Sequence, residues 1–225
     1  MNDMKRLLEP LLFCVLVMIS ILLFYTAYDN TAKAIVFKNL ADVLLFKDLS
    51  HTLSELNKVL ALTGIGLVSI SMAIGPLSVL FPAVFSRYVR QRRFLGVAGV
   101  TCLITHLFYG ILIFYQFSAT KIFFENPKLL GVVFALPAFL IFLAMALTSN
   151  AASIRALGAK RWKTLHRFGY LALALAALHF IIMETKSGQL AVRPYGKVFL
   201  ALPIMALILK LISIVYKRKS SVGDT

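Results

Sequence analysis

Long apolar runs constrain this chain more than any other feature of its sequence. A run of about 18 or more apolar residues predicts a helix that crosses a bilayer. Hydrophobic residues make up 60% of the 225 positions and the mean hydropathy is +0.87, which leaves little sequence for a soluble domain. We therefore predict an all-α membrane protein, a bundle of six transmembrane helices forming one domain over residues 1–225. The predicted spans are residues 7–28, 59–84, 94–117, 129–149, 165–184 and 196–216.

The basic residues predict how this bundle is oriented. A formal net charge of +15 is compatible with nucleic-acid binding. However, the lysines and arginines concentrate in connections that would share one side of the membrane, at residues 87–93, 155–167 and 217–219. Cytoplasmic loops carry this excess. We therefore predict cytoplasmic termini in a multi-pass protein of the inner (plasma) membrane. The expected partner of the protein is the lipid bilayer, and we expect no binding to nucleic acid.

The segments outside the predicted spans are short. We take residues 59–216 as the core and residues 29–58 as an outer loop. Mixed apolar and charged residues within that loop, at 37–47, favour an interfacial helix. Residues 220–225 are predicted to be a disordered tail. The first apolar run is predicted to be an uncleaved helix, because it is long for a signal peptide.

Three histidines associated with the apolar runs point to a cofactor. His106 and His179 lie inside predicted spans, and His166 opens the same predicted span as His179. An ionisable side chain in hydrocarbon is costly and marks a functional site, and neutral imidazole is a good ligand for haem iron. At 1.5 Å per residue, His106 and His179 lie roughly 18 and 20 Å along helices of the same direction. We predict that they ligate one haem in the outer half of the membrane.

His166 is predicted near the cytoplasmic surface, where a second haem could bind. It precedes His179 by 13 residues, which corresponds to a rotation of about 220° in an ideal helix. Either a local distortion such as a π-bulge brings the two side chains to one face, or they have different surroundings. Other roles remain open for the histidines. A buried imidazole can simply bond to a carbonyl, and proton transport is a further use of intramembrane histidine.

Basic and aromatic residues surround the predicted position of His166. Arg92, Arg93, Lys163 and Arg167 are expected at the cytoplasmic ends of the third and fifth spans, where they could pair with haem propionates. The alternative is that they are ordinary cytoplasmic anchors. Trp162 is predicted either to pack on a porphyrin or to anchor the helix at the interface.

The same residues carry a family resemblance. Together they resemble the ferric reductase-like transmembrane domain family and, in order and size, the haem-binding membrane subunit of the bacterial methionine sulfoxide reductase system. The resemblance covers about residues 60–215 and is most specific over 92–179. It implies a b-type cytochrome in which histidines of the third and fifth helices ligate haem while electrons cross the membrane. The matching segments are residues 92–96, 106, 147–150, 157–158, 162–171 and 178–179.

The resemblance also implies partners and marks one departure. NADPH oxidases and ferric reductases have two histidines on each ligand helix, whereas the third span here has one, with Arg92 or Arg93 at the second position. One or two haems are therefore expected. The donor would be a quinol from the quinone pool, a bound FMN or a cytosolic flavin reductase, and the acceptor would be a periplasmic oxidoreductase resembling a methionine sulfoxide reductase.

Two other functions remain open at this stage. The first is a self-contained ferric or cupric metalloreductase, which uses the same haem chemistry without a partner protein. The second is a haem-free transporter or structural membrane protein. In the favoured interpretation, the chain is the electron-transfer subunit of an oxidoreductase, and no residue of its own is assigned as catalytic.

Overall fold

A computed structural model describes residues 2–29 and 34–223, with side chains described for 11–23, 35–36 and 41–219. The described chain is mainly helical, with two short antiparallel hairpins. β1 (Tyr28–Asp29) pairs with β2 (Ala34–Ile35), and β3 (Thr185–Lys186) pairs with β4 (Gln189–Leu190). The helices are α1 (Asn2–Ala27), α2 (Phe37–Leu44), α3 (Leu49–Leu80), α4 (Pro82–Phe85), α5 (Arg92–Gly110), α6 (Ala119–Phe123), α7 (Leu129–Leu147), α8 (Ala151–Arg167), α9 (Gly169–Glu184) and α10 (Pro194–Gly223).

Five helical stretches of the described chain are long and apolar enough to cross a membrane, so the chain is a multi-pass membrane protein. Within α1, the stretch with described side chains is a shorter apolar segment, Leu11–Leu23. The sixth predicted span therefore depends on the rest of α1. The five long stretches are Leu49–Leu80, Arg92–Tyr115, Leu129–Leu147, Ala151–Glu184 and Pro194–Lys219.

The start of α3 corrects a predicted boundary. We placed the second span at 59–84, but the helix begins at Leu49 and ends at Leu80. Asp48 caps its first turn, since the Asp48 side chain accepts a hydrogen bond of 3.1 Å from the His51 backbone N–H. Most of the predicted outer loop is thus helical, because α2 also forms within it, where an interfacial helix was predicted.

Helix α3 lies at the centre of the bundle and packs against α5, α10 and α1. Its closest approach to α5 depends on two glycines. A Cβ atom added to Gly99 would lie only 2.8 Å from the carbonyl oxygen of Gly64, so these helices meet backbone to backbone, as small residues allow in membranes. The main core cluster draws on α3, α5, α7, α9 and α10 and consists of Ile65, Val68, Met72, Val100, Ala138, Phe142, Ala172, Leu173 and Ala206.

Helix α8 occupies a region where the sequence predicted a loop. Asn150 starts it by accepting a hydrogen bond of 2.8 Å from the Ser153 backbone N–H. Gly158 interrupts the helix with φ 73° and ψ 152°, values that glycine adopts without the steric cost of a side chain. The polar residues of α8 gave no apolar run, so the predicted fifth span, 165–184, contains only the last three residues of α8 together with α9.

A tight turn separates α8 from α9. The Phe168 N–H donates to the Leu165 carbonyl at 3.0 Å, a bond between residues three apart that ends α8. His166 and His179 therefore belong to different helices. The π-helical segment of the described chain is Ile111–Tyr115, after α5, and does not lie between these histidines. At the far end of the chain, α10 continues to Gly223 through most of the predicted tail; 224–225 lie outside the described residues.

Candidate functional site

His106 lies on α5, and the backbone carbonyl and side chain of one residue on α3 hold its imidazole in place. Its Nδ1 atom lies 3.1 Å from the carbonyl oxygen of Asn57 and 2.9 Å from the Asn57 side-chain oxygen. Both oxygens can only accept a hydrogen bond, so Nδ1 carries the proton and donates it. The Nε2 atom is then the unprotonated nitrogen, and it makes no hydrogen bond within the described chain.

His179 has the same arrangement on α9. Its Nδ1 atom lies 2.9 Å from the carbonyl oxygen of Gly131 on α7, so Nδ1 is again the donor and Nε2 the free nitrogen. Glycine allows α7 to approach α9 here, because a Cβ at Gly131 would lie 3.0 Å from the sulfur of Met183. His106 and His179 also lie within range of an electrostatic interaction with each other.

These two side chains have the form that axial iron ligands require. Histidines that bind metals usually donate their other ring N–H to a carbonyl or carboxylate, which fixes the tautomer and the ring orientation. His106 and His179 both do so, His106 from α5 towards a carbonyl on α3 and His179 from α9 towards a carbonyl on α7. The donor set therefore fits a haem iron with two neutral imidazole ligands.

His166 lies in different surroundings. Its Nδ1 atom is 3.1 Å from the carbonyl of Trp162, and its Nε2 atom is 3.4 Å from the hydroxyl of Ser149. The ring stacks on the Trp162 indole with centroids 3.9 Å apart, while the indole N–H donates to the Thr148 carbonyl at 2.9 Å. Trp162 thus orients His166 and ties α8 to the end of α7.

His166 opens onto a cavity of about 680 Å³, which we call the basic cavity. Sites for drug-sized ligands fall in the range of about 300–1,000 Å³. No aspartate or glutamate of the described chain lines it, and the only histidine that does is His166. Its cationic lining consists of the four predicted residues Arg92, Arg93, Lys163 and Arg167, together with Lys210 and Lys217.

Arg92 is the most firmly fixed of these cations. Its Nε–H donates to the carbonyl of Ser71 at 3.0 Å, and the Ser71 hydroxyl donates to the carbonyl of Arg92 at 2.7 Å. A Cβ at Gly75 would lie 3.0 Å from the guanidinium, which therefore packs flat against α3. A cation, and not a second imidazole, faces His166 from α5.

The comparisons with known proteins agree with this architecture. A family model described as "Ferric reductase like transmembrane component" matches residues 60–177, a little over half of the chain. The chain belongs to the ferric reductase-like transmembrane family. The family match contains His106 and His166 and ends two residues before His179.

Three named relatives match different lengths of the chain. The chain is 28% identical over 201 residues to the protein-methionine-sulfoxide reductase heme-binding subunit MsrQ of Polaromonas naphthalenivorans, covering 89% of this chain and 81% of that protein. It is 31% identical over 115 residues to MsrQ of Rhodospirillum rubrum, which is 50% of this chain and 53% of the relative. It is also 31% identical over 93 residues to magnetosome protein MamZ of Magnetospirillum gryphiswaldense, spanning 14% of that longer protein.

Three site residues of this family member were not predicted from its sequence. Asn57 fell in a predicted loop, Gly131 acts through its backbone carbonyl, and Lys210 was expected to extend towards the membrane surface. Lys210 lines the basic cavity instead, with its ammonium 5.3 Å from the centre of the Tyr170 ring. A lysine within an apolar run was the available signal for Lys210; neither Asn57 nor Gly131 had one.

Proposed function

We propose that this protein is a membrane electron-transfer subunit that holds a b-type haem between His106 and His179. One observation carries the proposal: both imidazoles commit Nδ1–H to a carbonyl of another helix and leave Nε2 free, as metal-binding histidines do. The MsrQ relatives are named as heme-binding subunits, which supports the same cofactor. Bound haem would supply the one-electron chemistry of iron.

The protein's own contribution is ligation and orientation. His106 and His179 would hold the iron from α5 and α9, and Asn57 and Gly131 would keep both Nε2 atoms unprotonated. Because these supports come from α3 and α7, four helices would fix the ligand pair. Such rigidity is useful in electron transfer, since a ligand set that changes little between oxidation states needs little reorganisation.

The basic cavity is the proposed entry point for electrons. Its six cations, without a carboxylate among the described lining residues, favour an anionic group over a neutral quinol. The phosphate of FMN and the propionates of a second haem both have the required charge. Arg92, Arg93 and Arg167 would bind the anion, while His166 on its Trp162 support would face the redox-active ring.

The proposed orientation in the membrane sets the direction in which electrons would cross it. We infer six transmembrane helices with both termini in the cytoplasm, so that the basic cavity faces the cytoplasm and the His106–His179 pair lies nearer the outer side. The acceptor would be a periplasmic oxidoreductase, and the relatives' names point to one that reduces methionine sulfoxide in proteins. The donor would be a bound FMN or a cytosolic flavin reductase; a quinol is the alternative that the charge of the basic cavity favours less.

Absorption spectroscopy of purified protein tests the haem assignment. Protein made with ample haem should show a Soret band and, on reduction, the α and β bands of a b-type cytochrome. His106→Ala and His179→Ala should each remove the same low-spin signal, whereas His166→Ala should retain it. His51→Ala, which changes an exposed histidine of α3, is the matched control. Colourless wild-type protein, or an intact low-spin signal in His106→Ala, would contradict the proposal.

A further inference from the structure

The two proposed haem ligands are supported unequally. His179 donates to one backbone carbonyl, that of Gly131. His106 donates to two oxygens of Asn57, of which one, the amide Oδ1 at 2.9 Å, belongs to a side chain. A side-chain acceptor can be changed without changing the backbone, so the chemistry of His106 depends on which residue occupies position 57.

We propose that Asn57 is a positioning residue that sets the reduction potential of the haem site through His106. This inference rests on the proposed function, because it needs an iron bound at His106 Nε2. A hydrogen bond from Nδ1–H to an oxygen makes the imidazole a more basic ligand. A more basic ligand favours ferric over ferrous iron, and the Asn57 side chain therefore holds the potential lower than the backbone carbonyl alone would.

The surroundings of Asn57 keep its side chain in place. Asn57 is 3% exposed, and its amide nitrogen would lie 3.8 Å from a Cβ placed on Gly110, so the end of α5 packs beside it. Two residues earlier, Glu55 is also 3% exposed and binds Arg193 through both carboxylate oxygens. This ion pair joins the first turns of α3 to the segment that precedes α10.

The position of Asn57 in the chain sets it apart from the shared core. The family match begins at residue 60, so Asn57 lies before it. Helix α3 continues towards its N-terminus beyond that core and brings the amide to His106.

A potentiometric titration of two Asn57 variants tests the proposal. Asn57→Asp keeps the shape and places a negative charge against Nδ1–H, so the midpoint potential should fall. Asn57→Leu keeps the backbone acceptor and removes Oδ1, so the potential should rise. We expect a change of about tenfold in the ferric-to-ferrous equilibrium in each direction, which is about 59 mV for a one-electron couple. Electron paramagnetic resonance of the ferric haem should show a matching change in ligand field.

Asn126→Leu is the matched control, because Asn126 is a half-buried asparagine that bonds Tyr115 and the Lys128 backbone and touches no histidine. The midpoint potential of the haem in Asn126→Leu should equal that in the wild type. Unchanged potentials in both Asn57 variants, or shifts of both in one direction, would overturn the proposal. If Asn57→Leu does not fold, the isosteric Asn57→Asp still gives the direction in which the midpoint potential changes. Wild-type protein without a Soret band would instead contradict the proposed function and the inference together.

Discussion

Arg193 and Glu55 are 138 residues apart in sequence and form a two-pronged ion pair. The Nη1–Oε2 and Nη2–Oε1 distances are 2.7 and 3.3 Å. Lys58, one turn along α3, approaches the same carboxylate at 2.7 Å, but its side chain is 37% exposed compared with 19% for Arg193. Arg193 therefore contacts the Glu55 carboxylate through two nitrogens and is the less solvent-exposed of its two cationic partners.

Removing Arg193 should destabilise the fold far more than removing Lys58. Arg193→Ala leaves a buried carboxylate with one exposed partner, and breaking a buried pair costs about 3 kcal/mol. Lys58→Ala removes an exposed contact worth at most about 1 kcal/mol. Thermal unfolding of both variants in the same detergent measures the difference. Equal destabilisation by the two substitutions would contradict this assignment, and adding Glu55→Gln to Arg193→Ala should recover part of the loss.

The backbone contact between α3 and α5 gives a second prediction. Gly99→Ala would place a methyl group 2.8 Å from the Gly64 carbonyl, and such overpacking costs about 1–3 kcal/mol. Because His106 lies two turns further along α5, the same variant should also weaken haem retention. Gly110→Ala is the control on the same helix, since its nearest neighbour would be at 3.8 Å. Unfolding temperature and Soret absorbance check both effects; equal values for the two variants would be inconsistent with a tight contact at Gly99.

The sequence predicted elements well where one local property determined them. Helix α7 was predicted at 129–149 and is Leu129–Leu147, because an uninterrupted apolar run sets its length. Counting residues also placed His106 and His179 at similar depth, and their pairing on one haem stays a prediction. Helix α8 was missed because it is polar, and a polar helix has no apolar run to reveal it.

Features that depend on contacts between residues far apart in the sequence could not be predicted. The predicted second span began ten residues after the start of α3. Glu55 is buried in that missed part of the helix, and the arginine that pairs with it belongs to the segment before α10. Asn57 was missed for the same reason, since its role appears only when α5 is packed against α3. In both cases the information lies in the tertiary contact and not in the surrounding sequence.

Lys210 provides a test of what the basic cavity binds. It lines the cavity from α10 and lies over the Tyr170 ring. If FMN binds there, Lys210→Gln should weaken its binding about tenfold, because a hydrogen bond to a charged group contributes about 1.5 kcal/mol. Quenching of flavin fluorescence on titration measures the affinity. Lys197→Gln, an exposed lysine near the other end of α10, should leave it unchanged. Equal affinity in both variants would show that Lys210 does not contact the flavin.

Cysteine labelling tests the orientation and the number of spans together. The five long stretches carry the chain from the start of α3 to the end of α10 on opposite sides of the membrane. If α1 also crosses, both termini lie in the cytoplasm; if it does not, Asn2 lies outside while Lys219 lies inside. Single cysteines at Asn2, Lys186 and Lys219, with Cys14 and Cys102 changed to alanine, separate these arrangements.

With a membrane-impermeant maleimide, right-side-out vesicles should label only the cysteine at Lys186, because the proposed orientation puts the β3–β4 hairpin, which joins α9 to α10, on the outer side. Inverted vesicles should label the other two positions and spare Lys186. Detergent-solubilised protein should label all three, which checks that each thiol is reactive. Labelling of Asn2 and Lys186 from the same side would mean that α1 does not span. The five-span arrangement would then replace the six-helix bundle, with the basic cavity still facing the cytoplasm.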